Sequence, residues 1–598
     1  MAWRCIVIAL VLAGAAPAQD LKVVFVDVGQ GQGAFLVGPT GTVMIVDGGP
    51  EGEGDGSMRT ALLGNGIVDA DIAVASHYHS DHIGGLDELW NKGYRPNVCY
   101  DRGTGNVPST SAYNNYKNKY ASVRQEITPG QVIDLGGGAT ATCLVVNGDL
   151  MGGSSVGVGG GDIENPSSIA LLISYGDFQL YLPGDLTGGG LGTPDVESST
   201  AAVAGNVDVM MLAHHGSNSS SQGSVIATLD PELGIVCAGT GNPFGHPHTE
   251  PLDEFTSASN VRALWATTSG TGKLGPVVSG GAVEIVTDGL TYSVYRQGGA
   301  PVTFITDENT ANAPALTGDL VVGEFMAMPT MVGDPEGEYI EIASSADGPV
   351  HLTNLRITSD AGVQVTVHGG YRLDPLESIV LAQNGDPGAN GGFDATAVMR
   401  LGAFPLPASN GSIRLHAAFG FHDLVRYETA WGVAPGIGHQ RRHLLGDPIA
   451  VNFGPSSTTL AMGDKGTPGQ INDNDVTSSV TSLTLVGQAA PGEQLDWLGV
   501  APGSPVDFFW FGVSAGWIPG IDLFGSHIWL NLDTVMLLFL QAPGFFGVTS
   551  ATGTATAGLP IPDDPTLSGI LLYTSFVTLD PFPLAVSGLT PPYPVVIQ

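Results

Sequence analysis

The feature that most constrains this chain is a cluster of metal-capable side chains, His77-Tyr78-His79-Ser80-Asp81-His82. An apolar, β-branched run at residues 72–75 precedes it and predicts a strand, while the sequence from Ile83 onward is typical of a helix that begins there. The cluster is therefore expected on a strand-to-helix loop, where side chains converge while the flanking elements hold them. Imidazole with carboxylate suits zinc, manganese or iron, and two adjacent ligand groups indicate two metal ions.

Further motifs follow in a characteristic order. They are Val26-Asp27-Val28-Gly29-Gln30-Gly31, an apolar run ending in Asp47-Gly48-Gly49, Pro183-Gly184-Asp185, His214-His215-Gly216-Ser217 and Gly245-His246-Pro247. Together with the histidine cluster they resemble the metallo-β-lactamase superfamily, and within it the subgroup that contains the soluble domain of ComEC-type DNA-uptake proteins. The resemblance implies an α/β fold, an αββα sandwich, over residues 19–298. It also implies that Asp47 supports the histidine loop and that Asp185 bridges two metals.

The chain departs from the family pattern in two places. No histidine lies between His82 and His214, so the third histidine that many family members use for the first metal is absent. Residues 162–168, Asp-Ile-Glu-Asn-Pro-Ser-Ser, resemble the subgroup's Asn-and-Ser version of this motif. Gln32 stands where the subgroup usually carries an acidic residue, and this change removes an expected support of the metal ligands.

The resemblance implies two divalent metal ions, which we expect to be zinc, with manganese as the alternative, and to differ in affinity. The sequence leaves open which histidine of the His214–His215 pair is a ligand, and we assign this role to His215. The implied ligands are His77, His79 and Asp185 for the first metal, and Asp81, His82, Asp185 and His215 for the second.

The chemistry expected at such a site follows from the metals. A water or hydroxide between two divalent cations has its pKa lowered toward neutrality and becomes a nucleophile at ordinary pH. No serine or cysteine nucleophile is then required, and Asp81 is placed among the catalytic groups. A histidine outside the ligand set could donate a proton or a hydrogen bond to the leaving oxygen. We assign this role to His246, with His214 as the alternative.

Charge bears on the choice of substrate. The chain has 20 basic and 57 acidic residues and a formal net charge of −37, which repels nucleic acid at long range. Bound cations would invert the field at the site itself, so a nuclease is not excluded. The insert after the histidine cluster carries basic residues that could hold phosphates or be ordinary surface charges: Lys92, Arg95, Arg102, Lys117, Lys119 and Arg124. Its tyrosines could stack bases or form a packed helix face: Tyr113, Tyr116 and Tyr120.

The N-terminus predicts export. Arg4, an apolar core at 5–13 and Ala16-Pro17-Ala18 are typical of a secretory signal peptide over residues 1–18. The secreted or periplasmic chain would keep an odd number of cysteines, Cys99, Cys143 and Cys237, and so at most one internal disulfide. No apolar run is long enough to predict a transmembrane segment.

Two more modules are predicted after the hydrolase. A polar linker at 299–317 precedes residues 318–473, where period-two runs separated by turns indicate an antiparallel β-sandwich. This region resembles the immunoglobulin-like lamin-tail domain. Residues 476–598 contain no lysine or arginine and are rich in Gly, Pro and aromatic residues, which predicts a β-rich C-terminal domain of unknown role. We expect these β modules to contact a cell surface or a polymer.

Three function classes remain open. The first is a secreted metal-dependent phosphodiesterase or nuclease, and the second is a hydrolase of small molecules such as a lactone, a thioester or an organophosphate. The third is a surface or adhesion protein whose hydrolase domain is degenerate. The intact set of His77, His79, Asp81, His82 and Asp185 argues against the third class, because packing alone does not require all five residues.

Overall fold

The computed structural model covers both halves of the chain. The predicted signal peptide, residues 1–18, lies outside the described residues, as do residues 299–300 and 308–313 of the predicted linker. The described residues are 20–159, 161–257, 260–272, 275–296, 301–307, 314–346, 348–417, 420–442, 444, 448, 452–473, 482–487, 494–500, 508–514, 521–523, 526–528, 545–549, 554–561, 570–581, 584–589 and 593–597.

The described residues divide between two compact units. One unit comprises the chain up to Phe255 together with Trp265–Lys273 and Ser279–Asn309. The other comprises Thr256–Leu264, Leu274–Val278 and the chain from Thr310 onward.

Short strands and short helices alternate in the chain up to residue 305. The strands are β1 (Leu21–Phe25), β2 (Gly33–Val37), β3 (Val43–Gly48), β4 (Ile72–Val74), β5 (Val98–Asp101), β6 (Arg124–Glu126), β7 (Val132–Gly136), β8 (Ala139–Val146), β9 (Asp149–Leu150), β10 (Ala170–Tyr175), β11 (Phe178–Leu182), β12 (Val209–Met211), β13 (Leu233–Val236), β14 (Asn260–Val261), β15 (Ala263–Ala266), β16 (Val277–Val278), β17 (Val283–Thr287), β18 (Thr291–Arg296) and β19 (Val302–Ile305). The α-helices are α1 (Arg59–Gly64), α2 (Ser80–Ile83), α3 (Leu86–Asn91), α4 (Ser111–Lys119), α5 (Glu197–Ala204), α6 (Gly223–Leu229) and α7 (Thr249–Phe255).

The first unit contains two mixed sheets. In one, the strand order is β19-β18-β17-β1-β2-β3-β4-β5-β6, with parallel pairing from β3 to β6. In the other, β13, β12 and β11 pair in parallel, and β10, β8 and β7 continue antiparallel. Buried side chains of the first sheet, such as Phe35, pack with Leu86 of α3 and Tyr116 of α4 in one apolar cluster. Helix α5 contacts β8 of the second sheet.

The two sheets meet through their inner faces. The rings of Phe178 on β11 and Tyr292 on β18 lie 5.3 Å apart between centroids. Helices therefore cover the outer faces of two stacked sheets, and this layer order is the one predicted for residues 19–298.

The topology places the polar loops that matter for function at equivalent strand ends. His77 follows the end of β4, Asp185 follows β11, His214 follows β12 and His246 lies in the loop that starts at β13. β11, β12 and β13 pair in parallel within one sheet, so their carboxyl ends lie at one edge of it, while β4 pairs in parallel within the other sheet. The loops after these strands converge, since Nε2 of His82 lies 3.2 Å from the Asp185 carboxylate.

The sheet of the first unit extends into the range predicted as a linker. Val302–Ile305 forms β19 and pairs antiparallel with β18, for example Tyr292 opposite Phe304, whose rings stack 4.9 Å apart. Conversely, the short strand β14, which falls within the predicted hydrolase range, belongs to the second unit and pairs with a later strand there. Backbone pairing between segments distant in sequence, which local patterns do not reveal, accounts for both differences.

The second unit includes a β-rich region within residues 314–473. Its strands are β20 (Leu320–Met326), β21 (Tyr339–Ser344), β22 (Val350–His351), β23 (Arg356–Thr358), β24 (Gln364–Val367), β25 (Tyr371–Leu373), β26 (Ser378–Ala382), β27 (Ala397–Val398), β28 (Gly411–Ala417), β29 (Gly420–Tyr427), β30 (His439–Arg441) and β31 (Phe453–Pro455). One sheet has the order β27-β26-β21-β20-β30-β31 and another the order β14-β24-β23-β28-β29. Phe325 of the first and Tyr427 of the second pack with ring centroids 4.6 Å apart, as the inner faces of a sandwich do.

Most of the described residues after 481 also lie in strands. They are β32 (Ser482–Gly487), β33 (Gln494–Val500), β34 (Phe508–Ser514), β35 (Ile521–Leu523), β36 (Ser526–Ile528), β37 (Phe546–Val548), β38 (Thr554–Pro560), β39 (Leu571–Pro581), β40 (Leu584–Leu589) and β41 (Tyr593–Val596). Phe511 and Phe576, in the paired strands β34 and β39, stack with centroids 4.9 Å apart within a buried apolar cluster.

Two further observations concern the chain as a whole. None of the helices in the described residues is long and apolar enough to cross a membrane. Cys99, Cys143 and Cys237 are buried free thiols, and burial raises the pKa of each.

Candidate metal centre

The site is built on a buried support beneath the histidine cluster. Asp47 ends β3, and its carboxylate accepts hydrogen bonds from the Ser76 backbone N–H at 2.8 Å and the Ser76 hydroxyl at 2.6 Å. The same carboxylate lies 2.8 Å from Nδ1 of His82. Because Nδ1 of His82 faces Asp47, its Nε2 is presented to the site, and this contact fixes the ring orientation.

Asp185 lies at the centre of the site, in a ring of imidazoles. Its carboxylate oxygens are 3.2 Å from Nε2 of His82, 3.5 Å from Nε2 of His215, 3.8 Å from Nε2 of His77 and 3.9 Å from Nε2 of His214. Asp185 is buried, and its Oδ1 has no hydrogen-bond donor of good geometry among the described residues. A carboxylate in this position can reach two neighbouring ligand groups.

Two groups of residues bring ligand atoms close together. One is His77, His82 and Asp185, and the other is Asp81, His82 and His215; within each group the ligand atoms lie within 4.8 Å of one another. Asp81 joins the second group through a contact of 3.3 Å between its Oδ2 and Nε2 of His215. A contact of the other ring nitrogen fixes the orientation of His215, since its Nδ1 lies 2.9 Å from the Cys237 carbonyl oxygen.

The donor set fits divalent cations. Burial would lower the pKa of His82, but the carboxylates of Asp185 and Asp47 outweigh it and raise that pKa well above its ordinary value. Burial likewise opposes protonation of His215, and Asp185 and Asp81 raise its pKa. Among the described residues, only imidazoles lie within ion-pairing distance of Asp81 and Asp185. The cluster therefore attracts positive charge that no lysine or arginine supplies.

His79 is placed differently from the other predicted ligands. Its Nδ1 lies 3.1 Å from Nε2 of His77, and its Nε2 is 3.9 Å from a carboxylate oxygen of Asp162. The His79 side chain is 38% exposed, so it lies at the rim, and it is in neither of the two close groups found among the described residues.

The His214–His215 turn separates the roles of its two rings. Both residues have positive φ angles, 52° and 58°, in a tight turn that directs the rings apart. The Ser221 hydroxyl accepts the Ala213 N–H at 2.9 Å, and the buried carboxyl of Glu197 accepts the Ser221 N–H at 2.6 Å. His215 therefore faces Asp81 and Asp185, while His214 faces another loop.

That loop is the segment at residues 162–168, which was predicted to stand where many family members carry a third histidine. Asn165 is 4% exposed, and its Nδ2 lies 3.2 Å from Nε2 of His214. The Ser168 hydroxyl accepts the Asp185 N–H at 3.2 Å. The segment thus contacts both His214 and Asp185.

A buried ion pair that the sequence did not reveal holds this segment against the histidine loop. Glu164 forms two bonds of 2.7 Å with the guanidinium of Arg102, and its Oε1 accepts the Tyr78 N–H at 2.8 Å. Tyr78 lies between His77 and His79, so the pair fixes the backbone of the first two predicted ligands. The one hint of this pair in the sequence is Arg102 itself, which is a basic residue in a strongly acidic chain.

The other polar groups of the insert are engaged in structure. Arg124 pairs with Asp101 at 2.5 Å, and Lys92 pairs with Asp55 at 2.7 Å at the surface. The side chains of Tyr113, Tyr116 and Tyr120 are buried in the core, so of the two interpretations of their spacing the packed helix face is the correct one.

His246 lies next to the cluster without joining it. Its ring is buried 5.3 Å from that of His214 and 5.8 Å from that of His215, between centroids. Burial and the charges of His215 and His214 lower the pKa of His246 to about 3, so the ring is neutral near pH 7. A neutral imidazole beside the cluster can donate one hydrogen bond and accept another.

Comparisons with known proteins match the part of the chain that contains this site. Residues 29–240 match the metallo-beta-lactamase superfamily. The chain is 25% identical over 268 residues to the ComE operon protein 3 of Bacillus subtilis, which is 42% of this chain and 32% of that protein. It is 26% identical over 261 residues to the competence protein ComA of Neisseria gonorrhoeae, which is 43% of this chain and 32% of that protein. The chain thus spans about a third of the length of these relatives.

Among solved structures, a diphosphatase from the PhnP family matches 39% of this chain and 90% of its own, with 16% identity and a TM-score of 0.24. The Zn²⁺-bound PqqB of Methylobacterium extorquens matches 32% of this chain and 71% of its own, with 14% identity and a TM-score of 0.22. From the matched residues and the relatives in sequence, this chain carries a metallo-beta-lactamase domain with weak homology to competence proteins.

Proposed function

We propose that the metallo-beta-lactamase domain is a metal-dependent hydrolase that cleaves phosphodiester bonds in nucleic acid. The observation that carries the proposal is the buried carboxylate of Asp185 facing three imidazole Nε2 atoms within 3.8 Å, with Asp81 beside one of them. Nucleic acid is proposed as the substrate because the motif set resembles that of ComEC-type DNA-uptake proteins and because one sequence relative is a competence protein.

The residues that would hold the metals are those of the two close groups. One ion would be bound by His77, Asp185 and, from the rim, His79, and the other by Asp81, His82, His215 and Asp185, so that both close groups contribute and Asp185 is shared. Bound divalent cations supply Lewis acidity, which lowers the pKa of water and balances negative charge on a phosphoryl oxygen. Zinc is the proposed ion and manganese the alternative, since imidazole and carboxylate suit both.

The chain's own residues then bind, orient and exchange protons. Burial opposes ionisation of Asp81, but the hydrogen bond from His215 and the charge of His82 lower its pKa, so it stays ionised. Asp81 is 27% exposed, which places its carboxylate at the mouth of the site. An ionised carboxylate at that point can orient an attacking water and accept its proton. His246, neutral and adjacent, is proposed to donate to the leaving oxygen.

A small-molecule ester is the second candidate substrate, and a specific observation favours it. Arg102 and Arg124, which could have bound the phosphates of a polymer, are paired with Glu164 and Asp101 and lie largely out of contact with solvent. With a net charge of −37, the chain offers a polyanion little long-range attraction.

Export and attachment are part of the same proposal. Residues 1–18 would be removed as a signal peptide, so N-terminal sequencing of protein recovered from the medium or the periplasm should start near Gln19. The β-sandwich at 318–473, which we propose to be lamin-tail-like, and the C-terminal β strands would contact a cell surface or a polymer. Recovery of the chain with Met1 intact and only in the cytosol would contradict export.

The test is cleavage of labelled single- and double-stranded DNA by the full chain loaded with zinc or manganese. We expect metal-dependent cleavage that Asp81→Asn abolishes and that Asp87→Asn, a half-exposed aspartate on α3, leaves intact. A carboxylic ester of p-nitrophenol, tested in parallel, reports on the second candidate. Hydrolysis of the ester with no cleavage of DNA, while the metals remain bound, would contradict the nuclease proposal.

A further inference from the structure

Gln30, in the turn after β1, joins two loops through its side-chain amide. Its Oε1 accepts the backbone N–H of Gly239 at 3.3 Å, and its Nε2 lies 3.4 Å from Nδ1 of His246. These contacts connect the opening Val-Gly-Gln-Gly motif to the loop after β13. Neither motif suggests this connection, since Gln30 and His246 are 216 positions apart.

The two contacts fix the direction of the amide. A backbone N–H can only donate, so the amide oxygen of Gln30 must face Gly239 and the NH₂ group must face His246. The NH₂ group has no lone pair to offer, so Nδ1 of His246 must accept. The neutral ring of His246 then carries its single proton on Nε2.

Backbone packing makes this arrangement rigid. A Cβ added at Gly239 would lie 2.3 Å from the backbone nitrogen of Gln30, so only glycine allows the two loops to approach this closely. Asn242 holds His246 on both sides: its Oδ1 accepts the His246 N–H at 3.0 Å, and its Nδ2 donates to the His246 carbonyl at 2.5 Å. The ring is therefore positioned by contacts at its backbone as well as at Nδ1.

His214 has the opposite pattern of partners. The NH₂ group of Asn165 faces its Nε2 at 3.2 Å, and the Ser219 hydroxyl lies 3.0 Å from its Nδ1. The Ser219 hydroxyl donates to Ser217 at 3.0 Å, so it is free to accept from Nδ1 of His214. His214 thus carries its proton on Nδ1 and offers no N–H from Nε2.

We propose that Gln30 is a positioning residue that holds His246 in the Nε2–H tautomer, which makes His246, and not His214, the hydrogen-bond donor to the leaving-group oxygen. The proposal rests on the hydrolytic function proposed above. The donated hydrogen bond stabilises negative charge on the departing oxygen, which takes its proton from water while the ring keeps its own.

The first test is the tautomer itself, observed by NMR of the full chain with ¹⁵N-labelled histidine, the His246 signals being assigned by their loss in His246→Asn. We expect Nδ1 of His246 to be the unprotonated nitrogen in the wild type. In Gln30→Glu the carboxylate can only accept, so the proton should move to Nδ1. In Gln30→Met, which has no polar side-chain atom, both tautomers should be seen. Gln131→Glu adds the same charge outside the site and should leave His246 unchanged.

The second test is turnover with different leaving groups. In Gln30→Glu we expect kcat to fall about 100-fold on DNA, whose alkoxide leaves poorly, and to stay near the wild-type value on bis(p-nitrophenyl) phosphate. A wild-type His246 protonated on Nδ1, or an unchanged tautomer in both Gln30 variants, would overturn the proposal. Absence of wild-type turnover on either substrate, with the expected tautomers present, would instead contradict the proposed function alone.

Discussion

At the scale of single residues, the proposed metal centre depends on which nitrogen or oxygen atom each side chain directs toward it. Asp47 occupies Nδ1 of His82 at 2.8 Å, and the Cys237 carbonyl occupies Nδ1 of His215 at 2.9 Å. Both rings therefore turn Nε2 toward Asp185. The residue types of the ligands could be predicted from the sequence because the histidine cluster and the Gly-Asp motif are local patterns.

Of the supports of these ligands, the sequence predicted Asp47, which contacts Ser76 and His82, but it did not reveal the others. Glu164 and Arg102 are 62 positions apart, and Gln30 lies still further from His246. No local pattern links such residues, because only the fold brings them together. The same limit applies to His79, whose spacing from His77 predicts a ligand although the structure places it at the rim.

Replacing Asp47 tests the support of His82. In Asp47→Asn, the group facing Nδ1 of His82 loses its charge, and we expect metal affinity to fall about 10- to 100-fold with the fold retained. Competition with a chromophoric chelator measures the affinity. Asp71→Asn, which alters a carboxylate that accepts the Val43 N–H on the same strand, is the control. Unchanged affinity in Asp47→Asn would show that Asp47 does not orient His82.

At the scale of secondary-structure elements, a buried ion pair and buried hydrogen bonds hold the loops of the site in place. The Arg102–Glu164 pair connects the segment before β10 to the backbone of the histidine loop, and Glu197 holds the turn after β12 through Ser221. The histidine loop follows a strand that was predicted from the apolar run at residues 72–75. The positive φ angles of His214 and His215 could not be predicted, since non-glycine residues adopt them only where tertiary contacts require it.

Removing one partner of the buried Arg102–Glu164 ion pair should destabilise the fold. In Arg102→Met the buried carboxylate of Glu164 loses its counter-ion, and we expect a loss of about 3–5 kcal/mol in the free energy of unfolding together with weaker metal binding. Lys92→Met, which breaks the exposed pair with Asp55, should leave the free energy of unfolding nearly unchanged, because solvent screens that pair. Chemical denaturation of the two variants measures both values, and equal effects would contradict a structural role for the buried pair.

Glu197 predicts a pH dependence of stability. Burial raises its pKa to about 8 from an ordinary value of 4.5, so the protonated form is the one that the fold favours. Its contribution is fully present below about pH 4.5 and is lost as the pH rises through 8, by up to ~1.4 kcal/mol per pH unit. Relative to Glu197→Gln, the wild type should therefore lose stability between pH 5 and 9. Thermal unfolding measured at several pH values tests this. If the melting temperatures of the two proteins changed in parallel between pH 5 and 9, the result would contradict a raised pKa for Glu197.

At the scale of the whole molecule, charge and domain organisation matter most. The predicted hydrolase region contains the two stacked sheets, but its boundary differs from the structure, since β19 lies beyond residue 298 and β14 belongs to the second unit. Composition predicted the abundance of strands after residue 317 because alternating apolar residues and turn residues are local signals. Pairing between strands that are distant in sequence sets the boundaries of the hydrolase region, and such pairing leaves no local signal in the sequence.

The net charge of −37 predicts an unusual response to salt. A nuclease that attracts DNA through lysines and arginines loses affinity as salt rises. Here screening should reduce repulsion, because the Debye length shrinks to about 10 Å at 0.1 M salt, so kcat/KM on an oligonucleotide should rise from low salt toward 0.1 M. Turnover of an uncharged ester is the control and should not change. A steep fall on the oligonucleotide would indicate a basic binding surface that this account lacks.

The proposed hydrolysis depends on metal bound by the Asp185 cluster. The most direct measurement is turnover of a phosphodiester as zinc or manganese is titrated into metal-free protein, with bound metal measured in the same samples. We expect no turnover without metal and a turnover rate that rises until two equivalents of metal are bound. In Asp185→Asn we expect neither metal binding nor turnover at the same equivalents. Full turnover by the metal-free protein, or by Asp185→Asn, would contradict it.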